Sequence, residues 1–264
     1  MAITSQALLA SAGKQALTFS VTTQGQTGGY GSGNTTSPGN TTSGVVPTQG
    51  TLGYPAINPY GAGQTGYLSK ALFRSQLVGL NMLRLMDCVY KVGAFSFGAN
   101  AALSAQPAIP AARVPNGDYR TCQLWVELVT TWTGTPVFSI TYLNENGVQH
   151  TTPDFTFSSW YATVSNPVLN GAAQIPLAAG DYGIQEIVSV VEKGGGTAGT
   201  FNIAIMRELL TLGMELQPQA QETRWFDPLA TGMVEIDQNA ALHVMNQSQS
   251  STRTNIVHLE ISQG

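Results

Sequence analysis

The chain has 264 residues, a formal net charge of −4, a pI near 5.3 and only 10% Asp, Glu, Lys and Arg, where soluble domains average about 25%. It has no global basic field, no apolar run of about 18 residues, and no basic stretch ahead of the short apolar patch at 7–10. Composition therefore argues against a nucleic-acid or membrane partner, a membrane-spanning helix and a cleaved export signal. Polarity comes instead from Thr, Ser, Asn, Gln and Gly, which a neighbouring subunit can desolvate at far lower cost than Lys or Glu. Such a surface reads as one to be covered.

Residues 17–23 alternate apolar and polar and predict a strand. From 24 to 66 the chain is rich in Gly, Thr, Ser, Asn, Gln and Pro, with 28–44 nearly free of apolar side chains. This is an extended N-terminal arm, either a linker or a segment ordered across a neighbour. Tyr54, Ile57 and Tyr60 supply apolar anchors for a partner contact that a plain spacer would not need.

Over 67–91, Ser69 can cap a helix, and Ala71, Val78, Met82, Leu85 and Val89 recur at helical spacing, widened by Leu72, Leu83, Met86 and Tyr90. The pattern predicts one mostly buried amphipathic helix. Its narrow polar face gathers Lys70, Arg74, Arg84 and Lys91, four of only eleven basic residues. They form either a solvated edge or a contact to an acidic partner or phosphate.

An Ala-, Gly- and Pro-rich loop follows to 115, and then a succession of strands. At 119–131, Cys122, Leu124, Val126 and Leu128 share one side. The run 136–143 ends in Asn144-Glu145-Asn146-Gly147, a hairpin signal with 150–157 as partner. A turn at 178–181 leads into 182–191, a Gly194-Gly195-Gly196 loop, and 200–210. Runs at 233–237, 241–246 and 255–262 complete a β-rich tail. The fold class is mainly β: a β-sandwich or jelly-roll-like core with one amphipathic helix and the extended arm. Three segments result: arm and first strand (1–66), helix plus sandwich core (67–216) and C-terminal extension (217–264).

Chemistry is sparse. Cys88 and Cys122 lie far apart in apolar runs and read as buried, reduced thiols. His150, His243 and His258 have no metal-ligand spacing with them. Gly61-Ala62-Gly63-Gln64-Thr65-Gly66 matches a dinucleotide fingerprint, with Asp87 about twenty residues on. The preceding run carries Pro55 and Pro59, which a central parallel strand does not accommodate, so the match is one expected by chance in a glycine-rich tract. Asp154, Asp181, Glu186, Glu192 and Asp227 form no recognisable pair, and the four tryptophans suit core or interface packing. No catalytic residue, cofactor or metal is expected, and the chain does not read as an enzyme.

Between 83 and 210 the chain resembles structural virion proteins of tailed bacteriophages. The resemblance rests on Leu83-Arg84-Leu85-Met86-Asp87-Cys88-Val89-Tyr90, on Gly117 leading into Leu124-Trp125-Val126-Glu127-Leu128, on Ser139-Ile140-Thr141-Tyr142-Leu143-Asn144 with Gly147, and on Ile175-Pro176-Leu177-Ala178-Ala179-Gly180-Asp181-Tyr182-Gly183-Ile184. It implies a β-sandwich core and a structural place in a virion, as capsid decoration (cement) or head protein. It further implies assembly with copies of itself, a trimer being the first expectation, and with other virion proteins such as the major capsid protein. It carries no catalytic residue. A tail, baseplate or fibre component that binds host-surface glycan is the alternative.

Overall fold

A computed structural model of the chain describes residues 3, 5–23, 30–32, 42–51, 53–75, 81–156, 171–214, 223–225, 233–248 and 253–264. After a one-and-a-half-turn helix, α1 (Gln6–Ser11), capped by Ser5, every long element is a strand. They are β1 (Gly13–Thr23), β2 (Tyr30–Ser32), β3 (Gly66–Ser75), β4 (Asn81–Ser96), β5 (Ala101–Ala102), β6 (Cys122–Asn144), β7 (Gln149–Thr151) and β8 (Phe155–Thr156). The remainder are β9 (Gly171–Gln174), β10 (Ile184–Met214), β11 (Thr223–Trp225), β12 (Glu235–Ile236), β13 (Leu242–Ser248) and β14 (Arg253–Gln263). All pairings among the described residues are antiparallel, and the fold is the mainly β sandwich expected from the sequence.

The smaller sheet runs β1-β14-β3-β11, with β12 also on β3. The larger closes on itself: β10 pairs with β4, β4 with β13, β13 with β2, β2 with β9, β9 with β6, and β6 again with β10. The small sheet lays Leu17, Leu68, Phe73, Val257, Leu259 and Ile261 onto Leu83, Leu85, Leu210, Leu242 and Val244 of the closed one. That layer is the sandwich core. Inside the ring sit Met86, Cys88, Trp125, Ala204, Met206 and Met245.

The helix expected over 67–91 is therefore replaced by β3 and β4. In β4, Leu83 and Leu85 face the small sheet while Met86 and Cys88 face the ring interior. A strand apolar on both faces has no alternation to display, and its continuous run imitates a wide helical stripe. The Gly-rich run at 61–66 likewise opens a strand rather than a helix, and no βαβ unit is formed among the described residues.

β6 and β10 form a long ribbon that folds over its own base. Phe138 stacks on Phe201 at 4.8 Å between ring centroids, although Phe138 pairs with Glu192 and Phe201 with Leu128, many rungs apart. The bend lies where glycines meet across the ribbon. Gly134 (φ +79°) and Gly195 (φ +84°) occupy left-handed backbone, and a methyl on Gly195 would strike the Thr135 carbonyl oxygen. The expected loop at 194–196 is thus a bend within β10. Gly147, in the Asn-Gly hairpin, has φ +76° and open space around it. Gly147→Ala should cost only left-handed strain of about 1–2 kcal/mol. Gly195→Ala adds a backbone collision and should cost clearly more in denaturant unfolding; equal losses would show that the bend does not depend on that close approach.

Candidate functional site

Two ion clusters are buried along β4. Asp87 has no solvent exposure, and Arg113, from a 3-10 turn at Ala111–Arg113, is equally enclosed. Arg113 Nε donates to Asp87 Oδ2 at 2.9 Å and Nη2 to Oδ1. The guanidinium also donates to the carbonyls of Cys88 (2.8 Å) and Pro47 (2.5 Å), while the Ala241 N–H donates to Asp87 Oδ1 at 2.9 Å. Burial works against the arginine's charge, but the Asp87 carboxylate outweighs it and raises the Arg113 pKa. Arg207, paired with Asp87 across β4 and β10, donates to the Glu235 carbonyl at 2.8 Å.

Inside the ring, Lys91 makes an ion pair with Glu127, and His243 Nε2 lies 3.8 Å from the same carboxylate. Burial alone would raise the Glu127 pKa, yet Lys91 and then His243 bring it below the ordinary carboxylate value. For His243 burial dominates and lowers the pKa to about 4, so the ring is neutral at pH 7. Tyr54 packs 6.2 Å from that ring. At the mouth, Arg84 donates to Glu208 at 2.5 Å and lies 5.2 Å over the Trp125 ring. The alternation that carries Lys91 inward is reset by a bulge beside Ile205 and Met206, where β4 supplies an extra residue.

The residues expected to contact a partner are thereby dispersed. Lys70 and Arg74 lie on β3, with Lys70 exposed opposite Glu260. Arg84 and Lys91 point into the ring. Tyr54 and Ile57 are 7% and 3% exposed and belong to this chain's own core, while Tyr60 donates its hydroxyl to the Ile236 carbonyl at 2.9 Å. The single basic strip required a helix, and strand geometry places alternate residues on opposite faces. The described later part of the arm also folds back on its own chain: Val45 exchanges backbone hydrogen bonds with Lys91, and Pro47 accepts from Arg113. The stretches at 24–29 and 33–41 fall outside the described residues, as do Trp160 and Asp227. Both cysteines are buried and free, burial pushing Cys88 up to about 11 and Cys122 to about 12.

A third cluster was not anticipated. Asp181 accepts from Tyr142 (2.5 Å) and Asn144 (2.8 Å), and pairs with His150 Nδ1 (2.7 Å). Tyr142 in turn accepts the Ala178 N–H. These contacts clamp the 178–181 turn against the β6–β7 hairpin. Among the described residues, no group of three or more His, Cys, Asp or Glu side chains is placed to hold a metal ion.

No family model matches the chain, and no curated protein sequence matches it. Two similar solved structures come from infectious bursal disease virus. Its VP2 subviral particle matches with 15% identity over 99% of this chain and 82% of that one, with a TM-score of 0.21. The Gx strain structure matches with 12% identity over 98% and 83%, with a TM-score of 0.18. Superpositions this loose transfer neither fold nor function to the present chain.

The buried clusters do have measurable consequences. Asp87→Ala leaves Arg113 enclosed without its carboxylate and should cost about 3–5 kcal/mol in unfolding free energy; a loss below about 1 kcal/mol would show that water reaches the guanidinium. His243 is neutral when folded and takes up a proton once unfolded below its ordinary 6.5. Its contribution is complete above pH 6.5 and is lost as pH falls toward about 4, with a slope of at most about 1.4 kcal/mol per pH unit. Glu127 acts in the same direction, below its ordinary 4.5. His243→Gln should flatten the stability profile between pH 6.5 and 4.5, and an unchanged slope there would remove His243 as its source.

Proposed function

We propose that this chain is a structural, non-catalytic subunit of a bacteriophage virion, a capsid decoration or head protein that binds copies of itself and other virion proteins such as the major capsid protein. It would assemble in the host cytoplasm and act by burying neutral surface between neighbours. The observation that carries this reading is where the few charges go. Asp87, Lys91, Arg113, Glu127 and Arg207 are buried; among the described residues Lys14, Lys70, Asp118, Arg120, Asp154, Glu186 and Lys193 are exposed, and Arg74, Arg84, Glu145, Asp181, Glu192, Glu208, Glu235, Asp237 and Glu260 are half-buried. Five ions are thereby withdrawn from an exterior that the composition already leaves sparse in charge. Neutral polar and apolar surface is cheap to desolvate, and a standard-size interface of about 1,600 Å² then yields a large gross gain before association costs. The resemblance over 83–210 to tailed-phage virion proteins supports the same reading.

A glycan-binding role draws on one feature, a cleft of about 250 Å³ lined by Tyr119, Gln106, Gln185 and Glu186, an aromatic ring beside amide and carboxylate groups. Oligosaccharide binding there, lost in Tyr119→Ala, would favour that alternative.

Contacts built without charge should resist salt. Sedimentation of the purified chain should show an oligomer that persists in about 1 M NaCl, where the Debye length is only about 3 Å, and antibodies to the chain should label intact particles. A monomer at every concentration, with unlabelled particles, overturns the proposal.

A further inference from the structure

The terminal strands of the two sheets differ sharply in length. β5, β7 and β12 are two or three residues long, the short form by which β proteins blunt edges that would otherwise pair with another chain. β1 is the exception. It runs eleven residues at the end of the small sheet, in register with β14 from Gly13 to Thr23 without a bulge. Every second residue of such a strand turns its N–H and C=O outward, and among the described residues no backbone group outside β14 pairs with it. From Gln15 to Thr23 it carries neither charge nor proline, the usual protections of an exposed edge.

We propose that the β1 edge is a self-association site, at which β1 of one copy pairs antiparallel with β1 of a second copy and joins two small sheets into one. This rests on the reading of the chain as an assembling subunit. Three observations favour a second copy as the occupant. The inner row Leu17, Phe19 and Val21 is buried at Leu17 but only half-buried at Phe19 and Val21, so an identical row would complete the cover it lacks. The outer row Ala16, Thr18, Ser20 and Thr22 is small, neutral and exposed, and can lie against itself without clash or repulsion. Lys14, the one charge, sits at the strand's beginning and is engaged by Glu260 at 3.8 Å. An antiparallel two-fold about Thr18 takes each Lys14 to the threonine end of the other strand, whereas parallel pairing would set lysine beside lysine. Combined with a three-fold, such a two-fold contact joins two trimers into a dihedral hexamer.

The test is A16K/S20K. In the two-fold arrangement position 16 of one strand faces position 20 of the other, so the double variant sets like charges opposite one another at both sites. The association constant should fall by on the order of tenfold. Both positions are exposed on the monomer, and position 16 faces Glu260 across β14, so folding should survive. The same charges at Val148 and Thr151, on the β7 hairpin, serve as control and should leave association unchanged. Hydrogen exchange supplies the direct readout: the outward amides of β1 should be protected in the wild-type oligomer and exchange freely in A16K/S20K. If the wild type associates while its outward β1 amides exchange freely, or if A16K/S20K associates equally well, the β1 site falls and the subunit reading stands. A wild-type chain that never associates removes both.

Discussion

Ions taken out of water must each find a partner, and β4 carries two of them, Asp87 and Lys91, into the interior. Much of the architecture follows from where their partners come from. Asp87 draws in Arg113 from the 3-10 turn and the Ala241 N–H at the start of β13. Arg113 then ties down Pro47 of the arm and the Cys88 carbonyl. Lys91 spans from β4 over Ala204 of β10 to Glu127 on β6. Elements far apart in the chain are thereby held to one strand, and a register error in any of them would leave a charge enclosed and unpaired. The net stabilisation from such pairs is small, but breaking one is expensive.

The same pairs explain the composition. A chain with 26 charged residues, eleven basic and fifteen acidic, places five of its ions in the interior and leaves an already sparse exterior poorer by that number. Specificity inside and neutrality outside come from one allocation. The Asp181 cluster repeats the theme on a smaller scale: three donors on one carboxylate lock a hairpin to a turn.

Glycine and length set the rest. A ribbon as long as β6 and β10 could not bury both halves while straight. The close approach at Gly134 and Gly195 lets it fold so that Phe138 reaches Phe201. The small sheet is finished differently. Its β12 is two residues long, whereas β1 stays long and regular, so the monomer has one long edge that its own described chain leaves open.

Much of this was legible in the residues. Alternation identified the later part of β1 and the first half of β6, and runs separated by turn signals marked the second half of β6, β13 and β14. Asn-Gly marked the hairpin at 144–147, and the spacing of Cys88 and Cys122 in apolar runs marked two buried free thiols. Legibility failed where a strand is covered on both faces: β4 carries apolar residues on both faces, interrupted by Arg84, Asp87 and Lys91, and so lacks the period that separates strand from helix. The single basic strip went with it, because Lys70, Arg74, Arg84 and Lys91 share a strip only on a helix. Sequence alone determined the β class, the turns and the scarcity of charge, since each is written in local pattern or composition. Which charges are buried, and that the larger sheet closes into a ring, was decided by the tertiary structure, because Asp87 meets Arg113 and Lys91 meets Glu127 only once strands remote in the chain have been brought side by side.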